Sequence, residues 1–200
     1  MCSSDLLFHA STDGNEALRK LDEIPRFEQY ISSNQNYPTG LQFWVGPSGV
    51  GKSTAAMELM QLLDKRSIAW VPQHPRLAQG TVRRQFQLVD PQMTDDQIAS
   101  LLSKFNLDLN DLPNGLDSQL ESGSELLSAA SGGQIRKIAL ARALAKYPKL
   151  LIADEPTADL DSASAERVMQ TLRELEFGVI VITHDLELLN DSDDVVRIEK

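Results

Sequence analysis

The feature that most constrains this chain is a glycine-rich segment, Gly-Pro-Ser-Gly-Val-Gly-Lys-Ser, at residues 46–53. Its spacing fits G-x-x-x-x-G-K-[ST], in which the glycines let the backbone curl until successive N–H groups point at one anion. An apolar stretch, Leu41–Val45, precedes the segment, and residues 54–63 after it have a helical composition and spacing. A strand, a tight loop and a helix in this order predict a phosphate-binding loop.

The polar residues of this loop match the parts of a nucleoside triphosphate. Lys52 supplies a mobile positive charge for the β and γ phosphates, and the Ser53 hydroxyl is placed for Mg²⁺. The helix that follows adds free N–H groups and the positive end of its dipole. The nucleotide-binding residues predicted here are Gly46, Pro47, Ser48, Gly49, Val50, Gly51, Lys52, Ser53 and Thr54.

An acidic pair ends a second apolar stretch. Leu-Leu-Ile-Ala at residues 150–153 runs directly into Asp154 and Glu155. A carboxylate at the carboxyl end of such a strand can hold Mg²⁺ beside Ser53, and the next carboxylate is a candidate general base for the attacking water. Adjacent strand residues point to opposite faces, but this rule relaxes past the strand end. Both carboxylates can therefore face one site.

Strand-like and helix-like segments alternate at both ends of the sequence, and a mostly helical stretch separates them. The predicted strands are residues 5–10 (as an edge strand), 41–45, 68–71, 150–153 and 179–183, and the predicted helices are 54–63, 94–105, 132–146 and 163–175. Thr94 and Asp95 are placed to cap the second helix. This alternation predicts an α/β fold with a largely parallel sheet and an inserted helical segment.

Composition limits the functions that fit. With 200 residues, 42% of them hydrophobic, the chain can form one domain with a real core. The net charge of −10 disfavours a nucleic-acid partner, whereas a nucleotide site depends on local fields. Cys2 is the only cysteine, which suits a reducing cytoplasm. Neither a signal peptide nor a membrane span is expected from the apolar stretches.

Further short motifs lie in a fixed order around the loop and the acidic pair. Val-Pro-Gln ends at Gln73, Ala-Asp-Leu-Asp ends at Asp161, and Thr-His-Asp contains His184. Ser131, Gly132, Gly133 and Gln134 open the third predicted helix. The whole set, over residues 41–184, resembles the ABC ATPase family: Gln73 its Q-loop, residues 131–134 its signature motif, Asp161 its D-loop and His184 its H-loop.

This resemblance implies roles that the residues alone leave open. It implies that Lys52, Gln73, Glu155 and His184 act in catalysis, and that Ser53, Gln73 and Asp154 hold Mg²⁺. A serine and two glycines opening a helix make a second anion site. In the family this site covers the ATP held by the other domain of a two-fold dimer, so Ser131, Gly132, Gly133 and Gln134 are expected to act in trans.

The resemblance also implies an architecture and partners. It implies a single domain over residues 1–200, with a P-loop NTPase core (1–73 and 148–200), a helical subdomain (74–147) and a small N-terminal antiparallel β part. The expected partners are ATP, a second nucleotide-binding domain in a homo- or heterodimer, and a transmembrane domain, fused or separate. The expected location is cytoplasmic, at the inner face of a membrane, and the expected activity is Mg²⁺-dependent ATP hydrolysis coupled to transport.

Two segments, residues 70–83 and 115–121, resemble the exporter type within the family. The chain also departs from the family pattern. Ala130 stands where leucine usually precedes the signature, and Leu127-Ser128 lies three residues upstream, as though the loop were lengthened. For the aromatic residue that stacks on adenine, Phe8 and His9 are the first candidates, followed by Tyr30 and Tyr37.

Two other functions compete with transport. One is a soluble ABC ATPase of DNA repair, chromosome handling or translation; such proteins usually carry coiled coils, a second cassette or basic surfaces, and this sequence shows none of them. The other is a regulatory module that binds ATP without turnover. Lys52, Asp154, Glu155 and His184 are all present, which favours real hydrolysis.

Overall fold

The computed structural model describes residues 7–12, 15–20, 37–120 and 132–199, and for the first two ranges the backbone alone. Tyr30, Ala130, Ser131 and the preceding stretch 121–129 lie outside the described residues. Strands and helices are numbered below in chain order within this described part.

One mixed sheet organises the described residues. Its seven strands lie in the order β2-β1-β7-β3-β6-β5-β4. They are β1 (Leu7–Thr12), β2 (Asn15–Lys20), β3 (Leu41–Val45), β4 (Ile68–Val71), β5 (Leu150–Asp154), β6 (Gly178–Thr183) and β7 (Asp194–Glu199). The five strands from β7 to β4 pair in parallel, and β1 pairs antiparallel with both β7 and β2. The predicted parallel sheet with an antiparallel N-terminal part is confirmed.

The prediction of an edge strand at residues 5–10 was wrong. The strand is present as β1, but it lies between β2 and β7, and β2 forms that edge of the sheet. The sequence analysis missed both neighbours. Residues 15–20, Asn-Glu-Ala-Leu-Arg-Lys, carry three charges and no β-branched residue, so their composition indicates no strand. The hairpin with β1 supplies their backbone partners instead.

Parallel pairing brings three strand ends to one edge of the sheet. Val45, the last residue of β3, is the register partner of Thr183 at the end of β6. Asp154, the last residue of β5, is the partner of Ile182. The glycine-rich loop, the acidic pair and His184 all follow these ends directly, so the topology places them side by side.

Five α-helices pack around the sheet in the part of the chain that the structure describes. They are α1 (Lys52–Leu62), α2 (Val82–Gln87), α3 (Asp95–Lys104), α4 (Gly132–Leu144) and α5 (Ser162–Arg173). Four match predicted helices within two residues at either end. The predicted cap is confirmed for Thr94, whose hydroxyl accepts from Gln97 N at 3.3 Å while the Gln97 side chain accepts from Thr94 N at 2.8 Å. The Asp95 carboxylate accepts hydrogen bonds from Arg83 instead.

The central strands β3, β5 and β6 are covered on both faces of the sheet. Trp44 and the α1 residues Ala56 and Leu59 belong to a cluster on one face. On the other face, Phe43 belongs to a larger cluster that includes residues of α2, α3, α4 and α5, among them Phe86, Leu102, Ile138 and Leu172. The helical segment therefore shares a continuous core with one face of the sheet. Its separation as a subdomain over residues 74–147 stays a prediction.

Candidate functional site

The glycine-rich loop joins β3 to α1 in a tight turn that needs glycine at particular positions. Gly49 has φ +77° and Gly51 has φ +110°, both in the region that favours glycine. Gly46 has φ +156°, and a Cβ on it would collide with the main-chain oxygen of Ile198 in β7. The loop is thus fixed by its own glycines and by close approach to a neighbouring strand.

We expect Gly46→Ala to lower the free energy of unfolding by more than about 1 kcal/mol, because the new methyl group meets rigid backbone. Urea titration of the purified chain measures this. Gly49→Ala is the matched control: its φ is also positive, but a Cβ there has nothing within 4 Å, so the loss should be smaller. Equal losses would show that the approach of Ile198 does not fix the loop.

Lys52 begins α1 and folds back into the loop. Its side chain is largely buried, and Nζ donates to the main-chain oxygens of Gly46 at 2.6 Å and Pro47 at 3.0 Å. Burial lowers the pKa of Lys52, and the nearby Glu155 and Asp154 oppose this shift. A partly desolvated cation at a helix N-terminus gains much from an anionic ligand.

Ser53 and Asp154 form a pair of hard oxygen ligands. The Ser53 hydroxyl donates to Oδ2 of Asp154 at 2.7 Å. Burial raises the pKa of Asp154, with the Ser53 hydrogen bond acting in the opposite direction. Mg²⁺ in phosphate-binding sites takes one or two protein oxygens and completes its shell with phosphate and water. The donor set fits Mg²⁺ bound together with a nucleotide.

Glu155 turns sharply away from the strand direction. Its φ of +49° is in the left-handed region, unusual for a residue with a long side chain. This turn brings its buried carboxylate to the end of β6, where Thr183 Oγ1 donates to Oε2 at 3.1 Å and His184 N donates to Oε1 at 3.1 Å. Nδ1 of His184 lies 2.6 Å from Oε1. The prediction that both adjacent carboxylates can face one site is confirmed.

These groups line a single open cleft of ≈ 360 Å³. Its lining residues are Ser48, Gly49, Gly51, Lys52, Ser53, Thr54, Gln73, Asp154, Glu155 and His184. The structure therefore brings together the loop, the acidic pair, the histidine and the exposed Gln73, which sequence analysis had assigned to one site from separate parts of the chain. Their individual roles stay predictions.

Among the described residues of the signature and the D-loop, Gly133, Gln134 and Asp161 do not line this cleft. Gly133 and Gln134 lie in the first turn of α4, where the Gln134 side chain donates to the Asp111 main-chain oxygen at 3.2 Å. Asp161 caps α5 by accepting from Ser164 N at 2.9 Å, and the hydrogen bonds from Ser164 lower the pKa of Asp161. The Tyr37 ring faces the ammonium of Lys149 at 5.6 Å and is also absent from the lining.

Arg136 contacts the site but is not among the residues that the sequence predicts. This arginine is in α4, is almost fully buried, and donates to the main-chain oxygens of Gln73 and Glu155. No pattern in the sequence identifies it, because α4 carries Arg136, Lys137 and Arg142 among apolar residues and any of them could have been the surface charge of an ordinary helix.

The fold and the cleft define a nucleoside-triphosphate-binding domain of the P-loop NTPase class. A family model described as ABC transporter matches residues 37–158. The chain is 33% identical over 179 residues to the ATP-dependent permease MDL1 of Candida albicans, covering 76% of this chain and 26% of that protein. It therefore belongs to the ABC transporter family, as the sequence motifs predicted.

Two further relatives match a similar share of the chain. P-glycoprotein 14 of Caenorhabditis elegans is 36% identical over 182 residues, covering 78% of this chain and 13% of that protein. The glutathione/L-cysteine transport system ATP-binding/permease protein CydD of Haemophilus influenzae is 34% identical over 138 residues, covering 68% and 23%. The predicted lean toward the exporter type is confirmed. The chain spans about a quarter or less of the length of these relatives.

The fold agrees with a solved structure as well. A bacterial Atm1-family ABC exporter with ATP bound superimposes with a TM-score of 0.69 at 19% identity, over 100% of this chain and 38% of that one. Identity at this level shows the fold alone. Membership in the ABC transporter family supports ATP hydrolysis by this domain.

Proposed function

We propose that this chain binds ATP with Mg²⁺ and hydrolyses it in composite sites of a dimer, and that this cycle drives transport through a transmembrane partner, fused or separate. The observation that carries the proposal is the cleft in which Lys52, the Ser53–Asp154 pair and the Glu155–His184 pair converge. Each pair corresponds to one requirement of phosphoryl transfer to water.

The binding half of the site belongs to the loop and α1. We assign Lys52 to the β and γ phosphates, together with the N–H groups of the loop, because its ammonium is already directed at the loop's interior. Ser53 and Asp154 would hold Mg²⁺, with Gln73 as a further oxygen ligand at the open side of the cleft. A bound Mg²⁺ would supply positive charge that neutralises the phosphates during transfer.

The chemical half belongs to the ends of β5 and β6. Glu155 would accept a proton from the attacking water while the water oxygen forms its bond to the γ-phosphorus and the bond to the β–γ bridging oxygen breaks. Thr183 and the His184 main chain hold the carboxylate in place through the hydrogen bonds given above. The imidazole of His184, which is 65% exposed, would contact the γ-phosphate and orient the water.

The signature residues complete the site from a second copy or a similar domain. Gly133 and Gln134 belong to a helix start that can bind an anion, yet within the described residues they do not line the cleft of their own chain. A two-fold dimer resolves this, because each chain then covers the ATP of the other. Asp161, at the start of α5, would lie near the same dimer interface.

Membership in the ABC transporter family supports the proposal of a transmembrane partner. The relatives named above include a permease and a transport system ATP-binding/permease protein, and this chain matches only a part of each. In the part of the chain that the structure describes, no helix is long and apolar enough to cross a membrane. We place the domain on the cytoplasmic face, with Gln73 and residues 76–83 toward the membrane partner.

Mixing two inactive variants tests the composite site. Lys52→Ala removes the phosphate contact, and Ser131→Arg blocks the signature by bulk and charge, so each alone should be inactive. In a mixed dimer one site carries both changes and the other carries neither. Adding excess Lys52→Ala chains to Ser131→Arg chains should therefore restore ATPase activity, to about half of the wild-type rate per mixed dimer.

Phosphate release during a titration of one variant into the other measures the recovery. Wild-type chains mixed with each variant in the same ratio are the control for dimer exchange. Mixed dimers that form without any activity would contradict composite sites. High activity of Ser131→Arg alone would show that the signature residues serve only as a helix cap.

A further inference from the structure

The Arg136 side chain contacts three separate segments of the site without lining the cleft. Its side chain is 3% exposed, and Nη1 donates to the main-chain oxygens of Gln73 at 2.9 Å and Glu155 at 3.0 Å. Nη2 lies 3.3 Å from Oδ2 of Asp159, a side chain that is 67% exposed. One guanidinium thus holds the Gln73 segment, the residue after β5 and the loop before α5.

Two of these partners have unusual backbone geometry. Glu155 has φ +49° and Asp159 has φ +62°, and neither is glycine. Left-handed conformations of this kind persist only where surrounding contacts fix them. The guanidinium bonds the main chain of Glu155 and the side chain of Asp159, so it fixes both ends of the turn between them.

The orientation of the Glu155 carboxylate depends on that turn. Adjacent residues in an extended strand point to opposite faces, so Glu155 would point away from the cleft if the strand continued. The left-handed residue redirects the carboxylate to Thr183 and His184. Any contact that fixes this turn therefore also fixes the direction of the Glu155 carboxylate.

We propose that Arg136 is the positioning residue for Glu155: its planar, multidentate guanidinium holds residues 155–159 in the turn that aims the carboxylate at the cleft, and holds the main chain of Gln73 in register with it. This rests on the proposed function, in which Glu155 is the general base. Arg136 does not line the cleft itself, so it acts on catalysis through the residues that it holds, chiefly Glu155.

The neighbouring lysine shows that a buried cation in α4 does not by itself have this role. Lys137 is also buried, and its Nζ donates to the Asn106 main-chain oxygen at 3.2 Å and to Ser164 Oγ at 3.0 Å. These bonds link α4 to the segment after α3 and to α5. None of its partners lines the cleft, so Lys137 is a matched control for the loss of a buried cation from this helix.

The test compares turnover with ATP affinity. Arg136→Met should lower kcat about 100-fold, the effect of misplacing a reacting group by roughly 1 Å, while KM for ATP stays within a few fold. Arg136→Lys should recover only part of kcat, because an ammonium cannot span the same partners. Lys137→Met should lower the unfolding midpoint but keep kcat within a few fold of wild type.

A double-mutant cycle separates positioning from general damage. If Arg136 acts through Glu155, then Arg136→Met added to Glu155→Gln should leave the residual single-turnover rate unchanged. A further fall by the same factor in that background would overturn the proposal. If Arg136→Met does not fold, Asp159→Asn replaces it in the test, because this change weakens only one exposed contact of Arg136. Asp159→Asn should lower kcat and leave KM unchanged. An unchanged kcat would overturn the proposal.

The results also distinguish the positioning role of Arg136 from the proposed function on which it rests. Near wild-type turnover of Glu155→Gln would mean that Glu155 is not the base, and the proposed function would fail with it. Loss of turnover in Glu155→Gln together with normal kcat in both Arg136→Met and Asp159→Asn would reject the positioning role alone.

Discussion

Replacing Lys52 with alanine should lower the affinity for ATP by about 100-fold or more. The reason is the loss of charge-assisted hydrogen bonds from the ammonium to phosphate, each of which contributes roughly 1.5–3 kcal/mol. The variant also loses the two bonds by which Nζ ties the loop to itself. Isothermal titration with ATP in the presence of Mg²⁺ measures the change directly.

Lys146→Ala is the matched control for this experiment. The Lys146 ammonium likewise donates to two main-chain oxygens, those of Lys65 and Ile68, but it lies outside the cleft. Its removal should leave ATP affinity within a few fold of wild type. Submicromolar ATP binding retained by Lys52→Ala would contradict the assignment of the phosphate-binding loop.

The Glu155→Gln variant should retain ATP binding and lose turnover by about 10²- to 10⁴-fold, the usual contribution of a general base. The amide keeps the shape of the side chain and cannot accept the proton. Because hydrolysis no longer separates the two chains, the variant should accumulate as an ATP-dependent dimer. Phosphate release gives the rate, and light scattering with and without ATP gives the dimer.

An exposed glutamate on α5 provides the control, since Glu166→Gln makes the same chemical change outside the cleft. It should leave both turnover and oligomeric state close to wild type. Hydrolysis by Glu155→Gln at a near wild-type rate would show that another group activates the water.

The glycine-rich loop and the acidic pair could be placed from the sequence because each depends on local chemistry. A strand, a turn that only glycine permits and a helix follow one another at residues 41–62, and an apolar strand ends at Asp154. Parallel pairing then brings such strand ends together without further information. The site was predictable to this extent because its parts follow strands directly.

Arg136 could not be found this way, because its role is set by contacts far away in the chain. Arg136 bonds the main-chain oxygen of Gln73, 63 residues before it, and that of Glu155, 19 residues after it. Only the packing of α4 brings these oxygens within reach. The short helix α2 was missed for a related reason. Thr81 caps it and Val82 and Phe86 are fully buried, so tertiary packing stabilises six residues that are too few to form a helix alone.

The strand order bears on how the protein is made. β3, which leads into the phosphate-binding loop, hydrogen-bonds to β6 and β7, both formed from residues 178–199. At a synthesis rate of roughly 5–20 residues per second, β3 is made more than a hundred residues before the two strands that pair with it. Such distant pairings are slow to form. The phosphate-binding loop therefore reaches its final place only after residues 178–199 have been synthesised, and a nucleotide that binds the completed site would stabilise the sheet as a whole.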